Sequence, residues 1–186
     1  MLIFAFADLS QLPAWMLFTG KFHPLVLHLP VTLVLCLIPL TFFAIKQHEQ
    51  SILHTILRYV ILYTTLFTTL AAIFGLLLAA NSEYAKDTLQ WHKWLGITLA
   101  LVMHFLLYAN QWVLSHKISG QVALISVAGI MLAGSHLGGS LTHGEDFFSL
   151  NIAETATGSF PEITDSTHVF EGAIAPIIAA KCASCH

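Results

Sequence analysis

The stretch YVILYTTLFTTLAAIFGLLLAA, residues 59–80, decides the fold class of this chain. It contains no Asp, Glu, Lys or Arg, and an α-helix rising about 1.5 Å per residue would cross a bilayer core of about 30 Å over such a length. Three other stretches of similar length lack the same four residue types: residues 25–45, 94–115 and 118–142. The sequence therefore predicts four transmembrane helices.

The overall composition agrees with a membrane protein. Of the 186 residues, 56% are hydrophobic and only 9% are charged, and the mean hydropathy is +0.78. These values are too apolar for a soluble domain of this size. Membrane lipid is therefore the expected partner, and no nucleic-acid partner is expected.

The connections between the four stretches predict how the helices are arranged. Residues 46–51 and 115–120 are short polar turns, and residues 81–90 form a longer one. Short turns make neighbouring helices antiparallel, and backbone amides in lipid must be satisfied within their own segment. We therefore expect an all-α protein built on an up-down-up-down four-helix transmembrane bundle.

Changes in composition divide the chain into four parts. Residues 1–22 are apolar but broken by Asp8 and Pro13, and they lack the basic start and cleavage site of a signal peptide, so we expect an interfacial segment. Residues 23–142 form the transmembrane domain. Residues 143–168 are acidic and rich in Gly, Ser and Thr, which is typical of a solvated linker. Residues 169–186 are expected to begin a c-type haem domain.

The chemical evidence for haem lies in the last residues, KCASCH. Cys182, Cys185 and His186 fit C-x-x-C-H, the attachment signature of c-type haem. The two thiols bind the vinyl groups of one porphyrin, and the histidine becomes the proximal iron ligand. A thioredoxin-like dithiol would be expected near a βαβ pattern, and a zinc half-site would need a second pair of ligands. Neither is present, so we predict covalent haem c.

A c-type haem also predicts the topology. Haem c is attached outside the cytoplasmic membrane, so the tail is expected in the periplasm. With four spans the N-terminus faces the same side. The expected location is the bacterial inner membrane, as a multi-pass protein with both termini periplasmic.

Besides the histidines of the tail, five of the 11 histidines are expected in the outer leaflet of the bundle or at its outer surface. They are His23, His28, His92, His136 and His143. Polar rings in lipid are costly unless satisfied, so we expect these side chains to point into the bundle. Two imidazoles on facing helices can ligate a b-type haem. We expect His28 with either His92 or His136 as the axial pair, and His23 and His143 are further candidate metal ligands. Each histidine could instead have a hydrogen-bonded structural role.

Four motifs in the same order resemble a known family. They are FHPLVLHLP at residues 22–30, WHKWLGI at 91–97, GSHLGGSLTHGED at 134–146 and IAPIIAAKCASCH at 174–186. This order resembles the N-terminal part of membrane-anchored cytochromes of planctomycete- and Bacteroidetes-type bacteria. Those proteins fuse a four-helix membrane domain of poorly defined function to a cytochrome c domain. The resemblance implies a respiratory redox role, with the five outer histidines in the motif positions.

One feature departs from that family, because a c-type fold needs several dozen residues after the haem motif. Either the chain is part of a longer protein, and the haem domain is truncated here, or the sixth haem ligand comes from elsewhere. His143, His168 or a partner subunit could supply it in the second case.

Two classes of function follow from these predictions. The first is a membrane-bound electron-transfer protein with haem c and a bis-histidine haem b, relaying electrons between membrane and periplasm with other redox subunits. It could belong to an oxidoreductase, and quinol is a candidate electron donor. The second is a non-redox membrane anchor or assembly subunit whose histidines are structural or bind a metal.

Overall fold

The computed structural model describes residues 6–44, 52–80 and 84–144, together with residues 169, 170, 174, 175, 178 and 179. The side chains of residues 110–115, 117 and 119 lie outside this description. Within the described part, all regular structure is helical. The helices are α1 (Ala14–Thr19), α2 (His23–Ala44), α3 (Ile52–Ala79), α4 (Lys86–Ser115) and α5 (Lys117–His143), with 3₁₀ turns at Leu9–Gln11 and Gly20–Phe22.

Four helical runs are long and apolar enough to cross a membrane: Ala14–Ala44, Ile52–Ala79, Lys86–Ala109 and Gly120–His143. For the described residues, the prediction of an all-α fold with four helices suited to span a membrane is confirmed. The first run begins at Ala14, well before residue 25, because α1 and the 3₁₀ turn Gly20–Phe22 lead directly into α2. Part of the segment expected at the membrane interface is thus continuous with the first span.

Each long helix exposes large apolar side chains. Phe43 on α2, Leu66 on α3, Phe105 on α4 and Leu132 on α5 are all more than half exposed. Such surfaces suit hydrocarbon, where no hydrophobic penalty attaches to them. The protein is therefore a multi-pass membrane protein in contact with lipid.

The described chain falls into two compact units, Met1–Gly138 and Gly139–His186. In the first unit, one buried cluster joins all four long helices, through residues such as Leu37, Leu57, Met103 and Val127. A second cluster joins Leu9 of the N-terminal segment with Leu76, Leu77 and Ile97. The N-terminal segment is therefore part of the packed first unit.

Threonines on α3 pack inside the bundle without leaving their hydroxyls unsatisfied. Thr64 and Thr68 donate to the carbonyls four residues earlier, at Val60 and Thr64. The Thr65 hydroxyl lies 2.8 Å from the Ile61 carbonyl oxygen and 3.1 Å from that of Met103 on α4. Polar contacts of this kind hold helices together in a membrane, where packing cannot draw on the hydrophobic effect.

The hairpins α2–α3 and α4–α5 are antiparallel. In the first, the start of α2 contacts α3 near its end, through His23 and Ala71. In the second, the early part of α4 contacts the later part of α5, through His92 and Gly134. Both contacts involve histidines that the sequence analysis expects on the outer side of the membrane.

Several predictions lie outside the described residues. The haem motif at Cys182, Cys185 and His186, His168, and most of the expected linker at 143–168 belong there. The cytochrome c domain, the linker and the side of the membrane on which the termini lie stay predictions.

Candidate functional site: a pair of imidazoles

The position of His23 is set by the turn that precedes it. Gly20 begins the 3₁₀ turn Gly20–Phe22, and a Cβ there would lie 2.8 Å from Leu77 C and 2.9 Å from Leu78 Cα on α3. Only a glycine lets the turn lie this close to the α3 backbone. Pro24 follows His23 in the first turn of α2, where its missing N–H costs nothing. His23, the first residue of α2, therefore lies directly against α3.

His23 is half-buried and makes an interhelical hydrogen bond. Its Nδ1 lies 2.9 Å from the carbonyl oxygen of Ala71 on α3. A carbonyl can only accept, so Nδ1 carries the proton and donates. In the neutral ring this leaves a lone pair on Nε2.

His92 on α4 repeats the arrangement with the next hairpin. It is half-buried, and its Nδ1 lies 2.9 Å from the carbonyl oxygen of Gly134 on α5. By the same reasoning, Nδ1 donates and Nε2 of the neutral ring keeps its lone pair. In the part of the chain that the structure describes, neither Nε2 atom has a hydrogen-bond partner.

The rings of His23 and His92 lie next to each other, edge to face. The ring centroids of His23 and His92 are 6.2 Å apart, and the ring planes lie at 83°. An imidazole nitrogen lies about 2 Å from a transition metal that it binds, so two rings on one metal have centroids about 6 Å apart. The observed spacing therefore suits one metal centre bound by both rings.

Each ring also lies against a glycine. A Cβ on Gly75 would be 3.1 Å from Cε1 of His23, and one on Gly138 would be 3.0 Å from Cε1 of His92. Both distances are shorter than ordinary van der Waals contact, so larger residues would displace the rings. Gly134 is less crowded, because a Cβ there would come no closer than 3.8 Å to Leu95.

Apolar packing surrounds this end of the bundle. Leu76 and Leu77, which directly follow Gly75, pack with Leu9 and Ile97. The ring of Phe6 lies 5.3 Å from that of Trp94, measured between centroids. The N-terminal segment thus packs on α4 close in sequence to His92.

Two other predicted histidines are placed differently. His28 and His136 are exposed, so the expectation that they point into the bundle is wrong for both. The His28 Nδ1 bonds to the Pro24 carbonyl within α2, at 2.6 Å, because the residue four positions earlier lies one helical turn away. The pairing of His28 with His92 or His136 as haem ligands stays a prediction.

His143 belongs to the second compact unit. It is exposed, and its Nδ1 lies 2.7 Å from the Thr142 hydroxyl and 3.3 Å from the Gly139 carbonyl oxygen. Its role as a metal or haem ligand stays a prediction, as do those of Cys182, Cys185 and His186.

The described residues contain no group of three or more His, Cys, Asp or Glu side chains suited to a metal ion. Zinc sites in proteins need three or four such ligands. Two imidazoles are enough for a haem iron, because its other four ligands come from the porphyrin. Within these residues, the site therefore fits a haem better than a protein-only zinc site.

The sequence identified both histidines, but it identified neither Gly75 nor the backbone carbonyls that the two rings bond. Gly75 interrupts a run of large apolar residues in α3, and this interruption was the available signal. The acceptors at Ala71 and Gly134 are backbone carbonyls, so no side chain in the sequence marks them as hydrogen-bond partners. Only the fold pairs them with the histidines.

Comparisons with known proteins identify no relative. No family model, no curated protein and no solved structure matches the chain. Its function must therefore be inferred from its own residues.

Proposed function

We propose that this chain is a membrane-bound electron-transfer protein with two haems. One is a covalent c-type haem on Cys182 and Cys185, with His186 as proximal ligand. The other is a b-type haem in the bundle, held by His23 and His92. The observation that carries the second haem is the adjacent pair of half-buried imidazoles, whose ring centroids are 6.2 Å apart.

The tautomers of the pair support this assignment. Because both Nδ1 atoms donate to backbone carbonyls, both Nε2 atoms are the basic nitrogens. Metal-binding histidines usually donate their other ring N–H to a carbonyl, carboxylate or water, which fixes the ring and raises its basicity. His23 and His92 thus already have the hydrogen bonds expected of ligands.

A haem supplies one-electron chemistry, and the protein sets its ligands, burial and orientation. In this chain, His23 and His92 would hold the haem through their Nε2 atoms, and the backbones of α3 and α5 would hold the orientation of the two rings. The apolar residues around Leu9 and Ile97 would restrict water. The N-terminal segment therefore contributes to the environment of the site as well as to anchoring.

The wider setting follows from the sequence predictions. The protein would lie in a bacterial inner membrane with both termini in the periplasm, and would relay electrons between the membrane haem and haem c. Other redox subunits are the expected partners, and quinol is a candidate donor. This role suits an electron-transfer subunit of a respiratory oxidoreductase.

One observation favours a second function. Each histidine connects two helices through its Nδ1, and such a bond stabilises a membrane bundle even without a cofactor. In that case His23 and His92 are structural, and the protein is a non-redox anchor or assembly subunit.

The experiment that tests the proposal is a pyridine haemochrome spectrum of the purified full-length protein and of His→Asn variants. The amide nitrogen of Asn can take the place of Nδ1, but Asn has no counterpart of Nε2. His23→Asn and His92→Asn should retain the helical fold and lose the b-type signal. The control His104→Asn should retain it, because the His104 Nδ1 bonds the Ala100 carbonyl of its own helix.

The c-type signal should be unchanged in all three variants. A spectrum with c-type haem alone in the wild-type protein would favour the anchor function. A b-type signal that persists in both His23→Asn and His92→Asn would refute this ligand pair and return attention to His28 and His136.

A further inference from the structure

The two helical hairpins carry the same three-part arrangement. In each, a histidine near the start of the first helix donates from Nδ1 to a carbonyl on the second helix, and a glycine four residues after that carbonyl lies against the Cε1 of the ring. The parts are His23, Ala71 and Gly75 in the first hairpin, and His92, Gly134 and Gly138 in the second.

Helix geometry explains the spacing of four residues. In an α-helix, the carbonyl of residue n points at the amide of residue n+4. In both hairpins, the ring that reaches this carbonyl from outside lies close to residue n+4. A Cβ there would be 3.1 Å from Cε1 of His23 and 3.0 Å from Cε1 of His92. A glycine therefore provides the space that each imidazole occupies.

The arrangement recurs although the chain separations differ. His23 and its carbonyl are 48 residues apart, whereas His92 and its carbonyl are 42 residues apart. The glycine follows the carbonyl by the same four residues in both hairpins. The two hairpins therefore share the local geometry of histidine, carbonyl and glycine. They differ only in the number of residues between the histidine and the carbonyl.

We infer that Gly75 and Gly138 are equivalent positioning residues of one bis-imidazole centre. Each glycine lets one ring reach its carbonyl, which fixes Nδ1 as the donor and leaves Nε2 for a shared transition-metal centre, such as haem iron. This inference rests on the proposed function, because it assumes that both Nε2 atoms bind one ligand. It adds that each hairpin contributes one ligand in the same way.

Histidine tautomers provide the first test. In full-length protein labelled with [¹⁵N]histidine and purified without b-type haem, both His23 and His92 should show a protonated Nδ1 and an unprotonated Nε2. Gly75→Ala should alter the nitrogen signals of His23 and leave those of His92, and Gly138→Ala should do the reverse. The variants His23→Asn and His92→Asn assign the signals. A protonated Nε2 on either ring of the wild-type protein would overturn the inference.

Ligand binding provides the second test, with haemin as the probe. Changing residues that orient a metal-binding histidine costs about 10–100-fold in affinity. Gly75→Ala and Gly138→Ala should each raise the haemin dissociation constant by that factor. The matched controls are Gly96→Ala on α4 and Gly129→Ala on α5, where a Cβ would meet nothing within 4 Å. Both should bind haemin within about twofold of the wild-type protein.

The outcomes separate the two proposals. If the wild-type protein binds no haemin, the proposed function fails. If it binds haemin but Gly75→Ala and Gly138→Ala bind as tightly as the controls, the proposed function survives and the role of the glycines is refuted. If one alanine variant does not fold by circular dichroism, the wild-type tautomers and the other variant decide.

Discussion

Replacing Gly20 by alanine tests how the fold positions the candidate site. Gly20 has φ −57° and ψ −29°, which any residue adopts, so the backbone conformation does not require glycine. What requires it is the close approach of the 3₁₀ turn to α3. The added Cβ would lie 2.8 Å from Leu77 C and 2.9 Å from Leu78 Cα, and would also contact Leu78 N. These are backbone atoms of a helix, which cannot move aside as a side chain can.

The magnitude follows from the cost of overpacking. Forcing an extra carbon into a packed site costs about 1–3 kcal/mol. For a chain of this size, 1 kcal/mol corresponds to a shift in Tm of about 2–4 °C. Gly20→Ala should therefore lower Tm by roughly 2–12 °C. Since the turn leads directly to His23, the variant should also weaken the contact of His23 with Ala71.

Gly96→Ala is the matched control. A Cβ on Gly96 would meet nothing within 4 Å, and the residue lies inside α4. Replacing a glycine inside a helix by alanine gains about 0.5–1 kcal/mol. The control should therefore raise Tm slightly, whereas Gly20→Ala lowers it.

The assay is thermal unfolding in detergent micelles, followed by circular dichroism at one fixed scan rate, because unfolding of such proteins is often irreversible. The ¹⁵N signals of His23, measured at low temperature, report the second effect. A Gly20→Ala protein that melts at or above the wild-type temperature, with unchanged His23 signals, would refute the close packing of the turn on α3.

Three further predictions concern other parts of the chain. Thr65→Val removes the hydroxyl that contacts the Met103 carbonyl, and it should destabilise the bundle by about 0.6–1.7 kcal/mol in thermal unfolding, whereas Thr55→Val at an exposed position should have little effect. The hydroxyl and amide of Ser10 hold the pKa of Asp8 below its ordinary value of 3.8; Ser10→Ala should raise that pKa in an NMR titration. Because the folded-state pKa of Asp8 is depressed, its contribution to stability is present above about pH 4 and is lost as the pH falls through the lowered pKa. Cys182→Ala should weaken haem staining of the denatured protein on a gel; staining that is as strong as in the wild-type protein would refute covalent attachment through this cysteine.

The helical fold could be predicted from the sequence because its signal is long and repeated. Stretches such as residues 59–80 have only one stable form in lipid, and the short connections impose antiparallel neighbours. Helix starts were less predictable. The apolar segment before residue 25 reads as an interfacial helix, but α1 continues into α2, and nothing in the side chains of Thr19 to Phe22 marks that continuity.

The candidate site was predictable only in part. Histidines are conspicuous in apolar sequence, and both His23 and His92 were identified. How deep a histidine lies and which way its side chain points depend on the rotation of its helix, and small differences in packing decide that rotation. The sequence-based prediction therefore favoured His28 over His23 as a haem ligand. The hydrogen bonds to Ala71 and Gly134 use backbone carbonyls, which every residue has, and no sequence pattern distinguishes those two.

The place of the imidazole pair is a consequence of antiparallel topology. In an up-down-up-down bundle, the starts of α2 and α4 lie at the same end as the ends of α3 and α5. A histidine at the start of each hairpin therefore meets the return helix of its own hairpin and the histidine of the other. A ligand between His23 and His92 would contact both hairpins, so its binding should stabilise their association by an amount that rises with the logarithm of its free concentration above Kd.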